Sequence, residues 1–176
     1  MRYLLIGWLV FFSAGCSVTA KQPAVHDFGL PVSTAPQQSR ASITVNAPTW
    51  LWDNLIRYRL LFAAPSQVRF YGLDRWIASP PELFEQLLAS YHKAKDYSLI
   101  VRLQDFEQQF DAPERARVVL RFSVEAYSSD DKQMIGAQEF YLQQSTKTPD
   151  AAGAISGFID LARQAAERIQ GWLVKL

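Results

Sequence analysis

Cysteine and histidine are scarce in this sequence, which has one cysteine and two histidines among 176 residues. Catalytic sites, metal sites and disulfide-stabilised domains commonly depend on these two residue types. A single cysteine excludes an intrachain disulfide, so the fold must rest on its apolar core. Neither His26 nor His92 has a neighbouring metal-ligand pattern, and no glycine-rich phosphate loop is present. We therefore predict a chain that is not an enzyme, with no catalytic residues, no metal site and no cofactor.

The sequence also lacks an excess of either charge. It has 18 Lys and Arg residues against 17 Asp and Glu residues, and removal of Arg2 with the first fifteen residues would make these numbers equal. A neutral chain has no electrostatic footprint for nucleic acid, so we predict no nucleic-acid partner. After residue 12 no apolar run approaches the roughly 20 residues that a spanning helix needs.

The one cysteine lies in an informative place. Arg2 precedes an apolar run at residues 3–12, and the small residues 13–15 stand directly before Cys16. This arrangement resembles a bacterial lipoprotein signal peptide, and it implies cleavage before Cys16, a thioether-linked diacylglyceryl group on its sulfur and a third acyl chain on its new amino group. Ser17 in place of Asp favours the outer membrane over inner-membrane retention. Two alternatives are a secretory signal with an incidental cysteine and a buried structural cysteine.

Composition divides the chain into three parts. Residues 1–15 are the predicted signal peptide, and residues 16–41, rich in Pro, Ser, Gln and Thr, are predicted to be the lipidated N-terminus and a flexible tether. Within the tether, Phe28 and Leu30 are the two residues expected to pack back on the domain. Residues 42–176 have the length and apolar content of one domain, which we predict to be α/β.

Hydrophobic periodicity outlines the elements of that domain. Alternation predicts a strand at 43–45, a hairpin from runs at 56–62 and 68–71, and strands at 99–103, at 118–126 and ending at 140–142, with a bulge near Asp105. A capping box at Ser79 and Glu82 starts one helix, and residues 148–150 start a second with an apolar stripe to Leu173. We expect an α/β domain with a mixed or antiparallel sheet and helices packed on it.

Aromatic side chains are the main candidates for contacts with a partner or a lipid. Trp50, Trp52 and Tyr71 would form a binding patch if they were exposed together. Arg75 and Trp76 could stack as a cation–π pair, although sealing of the core is the favoured interpretation of this pair. Polar residues on the opposite face of the later strands are either solvated or a functional surface: Arg102, Gln104, Arg121, Ser123 and Glu125.

In their order, these motifs resemble the ABC-type transport auxiliary lipoproteins, the paraquat-inducible protein C-like family. The resemblance rests on Arg57-Tyr58-Arg59, Tyr71, Arg75-Trp76, the segment 103–111 and the closing helix at 150–172. It implies a three-layer α/β/α-type domain with a mixed, largely antiparallel sheet of about five to six strands, similar to the N-terminal domain of TolB.

The same resemblance implies a function. Such a chain would be a noncatalytic, lipid-anchored periplasmic component of an ABC and MCE-type intermembrane lipid transport system, docking the transporter's periplasmic part at the outer membrane. Its partners would be the membrane, through the lipid anchor, an MCE-domain protein and ABC transporter subunits, with self-association left open. The alternatives are a lipid or lipoprotein carrier with its own acyl-binding cavity and a pilotin-like envelope assembly factor.

Overall fold

The computed structural model describes residues 22–29, 43–91, 97–128, 130 and 132–176. Cys16 and the predicted signal peptide lie outside these residues, as do Leu30 and His92. The described chain forms seven strands, two α-helices and a short 3-10 helix at Thr49–Leu51. The strands are β1 Ala24–His26, β2 Ile43–Asn46, β3 Leu55–Leu60, β4 Val68–Trp76, β5 Tyr97–Ala112, β6 Arg115–Ser128 and β7 Met134–Ser145, and the helices are α1 Pro80–Tyr91 and α2 Ala151–Leu173.

The strands make one mixed sheet in the order β1-β4-β3-β5-β6-β7, with β2 paired to β5 off this path. Three pairings are parallel, β1 with β4, β2 with β5 and β3 with β5. The hairpins β3–β4, β5–β6 and β6–β7 are antiparallel. The predicted α/β class, the mixed sheet and the bulge near Asp105 are confirmed, since the register of β5 shifts between Leu103 and Asp105.

Both helices pack on the same face of the sheet. Phe84 of α1 contacts Phe122 of β6 edge-on, and Phe158 of α2 stacks on Phe106 of β5. All four rings are buried in one hydrophobic cluster. In the described part of the chain, both helices lie on one face of the sheet, and the other face is open. We call this second surface the open face.

Both predicted helix starts are confirmed at atomic detail. Glu82 accepts hydrogen bonds from the backbone N–H of Ser79 at 2.8 Å and from its hydroxyl at 2.6 Å. The side chain of Asp150, the N-cap of α2, accepts from the N–H of Gly153 at 2.9 Å. These bonds satisfy donors that a helix start otherwise leaves without partners. No helix in the described ranges is long and apolar enough to cross a membrane.

Part of the predicted tether belongs to the sheet. Within residues 16–41, the strand β1 pairs in parallel with β4, and Phe28 is buried in the core beside it. His26 Nε2 also lies 2.9 Å from Asp74 Oδ1, so a side-chain contact joins β1 to β4 in addition to the backbone pairing. Burial of a phenylalanine and backbone pairing together offset the entropy of ordering this short segment, so it is not a free spacer.

The sheet is interrupted along one edge of β5. On that edge β2 pairs with residues 99–102, and β3 pairs with residues 108–110. Between these two pairings, residues 103–107 pair only with β6 among the described strands. The loop 47–54 lies between β2 and β3 in sequence, and its Leu51 is buried in the core. We call this interruption the sheet gap.

Candidate functional site

A cleft of about 350 Å³ lies on the open face at the sheet gap. Its lining combines the loop before β3 with strands β3, β4 and β5: Trp50, Leu51, Asp53, Arg57, Arg59, Val68, Phe70, Gln104, Asp105, Phe106 and Glu107. Trp50, Val68 and Phe70 are exposed, whereas Leu51 and Phe106 are buried. The cleft thus has an apolar rim and an apolar floor, with charged side chains between them.

Arg57 fixes one wall of the cleft. The side chain is buried, and its Nη2 donates to Asp53 Oδ2 at 2.5 Å and to the carbonyl oxygen of Trp50. Its guanidinium also lies 5.5 Å from the ring centroid of Phe70, which faces it directly across the β3–β4 pair. Arg57 therefore joins the Trp50 loop to the hairpin and presents a cation to an aromatic face.

Arg59 and Glu107 form the other charged wall. Arg59 Nε lies 3.0 Å and 3.2 Å from the two carboxylate oxygens of Glu107, and Nη2 lies 3.0 Å from Oε2. This hydrogen bonding raises the pKa of Arg59 above its ordinary value, against a smaller opposing effect of desolvation. A paired, permanently charged arginine holds its partner carboxylate in one orientation.

The ionic pairs continue across the open face beyond the cleft. Arg121 Nε donates to Asp105 Oδ2 at 2.6 Å, Arg102 pairs with Glu125, and Arg117 pairs with Asp111. The cations and anions of these pairs already neutralise one another. A partner would therefore be recognised by hydrogen bonds and by shape complementarity, and not by a net electrostatic field.

The structure separates the three predicted patch aromatics. Trp50 and Trp52 are 65% and 48% exposed in the loop before β3. Tyr71 instead packs on Tyr58 with ring centroids 4.8 Å apart, and its hydroxyl donates to Gln108 Oε1 at 2.5 Å. Burial raises the pKa of Tyr71. Because Gln108 also contacts the carbonyl oxygen of Asp150 at 3.4 Å, Tyr71 belongs to the helix side of the sheet and not to the cleft.

The structure also separates Arg75 from Trp76. Successive side chains of a strand point to opposite faces, so Arg75 is exposed on the open face whereas Trp76 is fully buried among Phe28, Phe106 and Phe158. The predicted cation–π pair does not form. Trp76 seals the core, as the favoured interpretation had it, and cannot act as a surface contact.

Sequence reasoning missed the residues that complete the cleft. The sequence pattern marks Val68 and Phe70 as strand positions of a hairpin, Arg57 and Arg59 as part of a family motif, and Asp105 and Glu107 as an acidic pair on a solvated strand face. The signal was the alternation itself, because Arg57 and Phe70 sit opposite each other in the β3–β4 register. Among the described residues there is no group of three or more His, Cys, Asp or Glu side chains that could hold a metal ion.

No family model and no curated protein matches this sequence. Solved structures do match the fold. A Xanthomonas campestris protein of the family named DUF330 superposes with a TM-score of 0.65 at 17% identity, covering 86% of this chain and 92% of that one. An uncharacterised protein superposes with a TM-score of 0.66 at 14% identity, covering 86% of this chain and 99% of that one.

A third similar structure is a candidate lipoprotein from Caulobacter crescentus CB15. It matches with a TM-score of 0.44 at 15% identity, covering 54% of this chain and 80% of that one, a likeness too weak to support an argument. The chain therefore shares its two-helix, mixed-sheet fold with the DUF330 protein of Xanthomonas campestris.

Proposed function

We propose that this chain is a noncatalytic, lipid-anchored component of an ABC and MCE-type intermembrane lipid transport system. In this proposal Cys16 carries the acyl groups, the anchor lies in the outer membrane, and the domain faces the periplasm. The open face docks the periplasmic part of the transporter, an MCE-domain protein, through the cleft at the sheet gap. The proposal rests on the lipoprotein-like signal sequence, the family resemblance of the motifs and the fold shared with a DUF330 protein.

The observation that carries the docking role is the exposed apolar rim of the cleft. Trp50, Val68 and Phe70 keep a substantial part of their surface in water, although they line the same cleft. Contiguous exposed apolar surface usually marks an interaction site, and aromatic residues beside a desolvated arginine are typical of binding hot spots. The fixed charges around the rim would set the orientation of a protein partner.

The same cleft bears on the carrier alternative, because a carrier needs a concave apolar cavity. The volume of about 350 Å³ would hold part of an acyl chain. However, the lining includes Asp53, Arg57, Arg59 and Glu107, and an acyl chain laid over ion pairs would strip water from them without replacing its hydrogen bonds. A polypeptide can offer polar groups to these residues, so the cleft favours a protein occupant.

The test is affinity purification of the tagged, acylated protein from gently solubilised envelopes, followed by mass spectrometry of proteins and lipids. The wild type is compared with a Trp50→Ala/Phe70→Ala variant. A Tyr141→Ala variant is the matched control, because Tyr141 is also an exposed aromatic of the open face but lies on β7. Loss of hot-spot contacts should lower recovery of an MCE-domain protein by about tenfold or more in the double variant alone.

Two results would contradict this function. Stoichiometric bound lipid without any transporter subunit would favour the carrier. Undiminished recovery of the MCE-domain protein with the double variant would show that docking uses another surface. Trp50 and Phe70 are exposed, so we expect their replacement to leave the core unchanged. Circular dichroism of each variant verifies that the sheet is intact.

A further inference from the structure

A second apolar surface lies at the edge of the sheet formed by β1 and β4. Val25, Leu73 and Ile77 are 59%, 48% and 64% exposed. Val25 pairs in register with Arg75, and Leu73 and Ile77 flank Arg75 two residues away on either side. In-register residues of paired strands share a face, so Val25 lies on the open face beside Arg75, and the exposed Leu73 and Ile77 adjoin Arg75 along the chain. We call Val25, Leu73, Arg75 and Ile77 the edge patch.

The cation of the edge patch differs from five other arginines, which lie on β3, β5 and β6. Arg57, Arg59, Arg102, Arg117 and Arg121 each pair with a carboxylate. Arg75 is exposed and makes no ion pair with any residue that the structure describes. A lipid bilayer presents phosphate groups above a hydrocarbon layer. The Arg75 guanidinium could bind phosphate with several donors at once, and the neighbouring apolar side chains could contact the hydrocarbon.

The length of chain before β1 connects this patch to the anchor. Eight residue steps separate Cys16 from Ala24, the first residue of β1. Fully extended, they span at most about 29 Å, close to the diameter of a small domain. A free tether through residue 41 would instead reach about 80 Å at 3.1 Å per residue. Pairing of β1 with β4 thus shortens the reach and brings the β1 edge toward the point of attachment.

We propose that the edge patch lies against the phospholipid bilayer that holds the acyl groups of Cys16, with Arg75 bound to lipid phosphate. This inference rests on the lipid anchor of the proposed function and adds the surface by which the domain meets the membrane. The anchor makes the contact intramolecular, so weak individual contacts suffice. Three apolar side chains are far fewer than the roughly 20–30 residues a side of a stable protein interface, which argues against a second protein as the occupant.

This contact would turn the β1 end of the open face toward the bilayer. β7 is five strand spacings from β1 in the sheet order, or about 24 Å at 4.8 Å per spacing. The cleft at the sheet gap opens on the broad face between the two edges. The cleft shares this face with the edge patch, so a transporter subunit would reach it from the β7 side while the domain remains in contact with the bilayer.

The test uses the acylated full-length protein in vesicles of phosphatidylethanolamine and phosphatidylglycerol. Because acylated Cys16 carries no free thiol, an added cysteine is the only reactive one. Leu73→Cys and Ile77→Cys place an environment-sensitive fluorophore in the edge patch, and Tyr141→Cys places it on β7 as the control. Nitroxide-labelled lipids then report which labels touch the bilayer, and mass spectrometry verifies acylation of Cys16.

The expected result is a blue shift and strong quenching at positions 73 and 77 with little change at position 141. Arg75→Glu should reduce the quenching at position 73, whereas Arg168→Glu, the same charge change on exposed α2, should not. Equal quenching at all three positions, or none, overturns the inference while leaving an acylated Cys16 and the proposed function intact. Absence of acyl groups on Cys16 removes the anchor and overturns both. Crosslinking between copies through positions 73 and 77 would show that a second copy covers the patch and would also overturn it.

Discussion

Phe28 packs edge-on against Trp76, with ring centroids 5.4 Å apart and ring planes at 86°. Both rings are buried, and Phe28 also lies 6.1 Å from Phe106. A residue from the segment between the predicted signal peptide and the predicted domain thus completes the core. Aromatic pairs in this geometry contribute beyond the area they bury.

Replacement of Phe28 therefore measures whether this segment is part of the folded unit. Phe28→Ala should lower the free energy of unfolding by about 3–5 kcal/mol, since it removes a buried ring and leaves a cavity. Val25→Ala, at an exposed position of the adjacent strand, should change it by less than about 0.5 kcal/mol. Urea denaturation followed by circular dichroism measures both. Equal effects of the two substitutions would contradict the assignment of Phe28 to the core.

Asp150 should make the stability of the domain depend on pH. Hydrogen bonds from the Thr148 hydroxyl, and then from the N–H of Gly153, lower the pKa of this carboxyl. A depressed pKa stabilises the fold above the pKa of the unfolded chain, and this contribution is lost as pH falls through the folded pKa. Asp150→Ala should cost about 0.5–2 kcal/mol near neutral pH, because the N-cap is lost.

Asp150→Asn separates the two effects, since Asn retains a capping oxygen but cannot ionise. The difference in free energy of unfolding between wild type and Asp150→Asn should shrink as pH falls from about 5 toward 2. Asp130→Asn in the β6–β7 turn is the control for a general effect of removing a carboxylate. A difference that is constant with pH would mean that Asp150 acts only through its hydrogen-bonding shape.

Two glycines of α2 should respond to alanine with opposite signs. A Cβ at Gly157 would lie 2.7 Å from Val118 Cγ2, so Gly157→Ala must push the helix away from β6. We expect a loss of about 1–3 kcal/mol from this overpacking. A Cβ at Gly171 meets no described atom within 4 Å, and Gly171→Ala should stabilise by about 0.5–1 kcal/mol through helix propensity. Thermal unfolding of both variants tests this, and stabilisation by both would show that α2 sits farther from the sheet.

Removal of Arg57 should release the loop that carries Trp50. Arg57→Met keeps much of the apolar stem but leaves the Trp50 carbonyl and Asp53 without their donor. We expect a loss of about 1–3 kcal/mol and faster hydrogen exchange at the amides of Leu51 and Trp52. Arg102→Met, which breaks an exposed pair with Glu125, should cost less than about 1 kcal/mol and leave these amides protected. Unchanged exchange in Arg57→Met would mean that burial of Leu51 alone holds the loop.

Local patterns predicted the local elements. Alternation found the β3–β4 hairpin, and the capping box at Ser79 found the start of α1 to the residue. The strand β1 escaped prediction because three residues after Pro23 give no periodic pattern, and they pair only when the β4 edge is already formed. Composition alone could not show that β4 would form a sheet edge with which residues 24–26 can pair.

The cleft escaped prediction for a different reason. It exists because β2 and β3 pair in parallel with separate stretches of β5, and such pairings join residues about 50 positions apart in sequence. The sequence also does not show which tryptophans are exposed. Trp76 is buried and Trp50 is exposed, and this difference depends on which elements the fold packs against each side chain. Phe70 was visible as a strand residue, but the face it would share with Arg57 depended on the register of the hairpin.

At the sheet gap, Phe106 belongs both to the cleft and to the hydrophobic core. Phe106 forms part of the floor of the cleft, and its ring is stacked on Phe158 of α2 with centroids 4.0 Å apart. Residues 99–102 and 108–110 of β5 have strand partners on both sides, whereas residues 103–107 pair only with β6 among the described strands. A molecule bound in the cleft would therefore contact a residue whose ring is stacked on α2, and its binding would be felt by that helix.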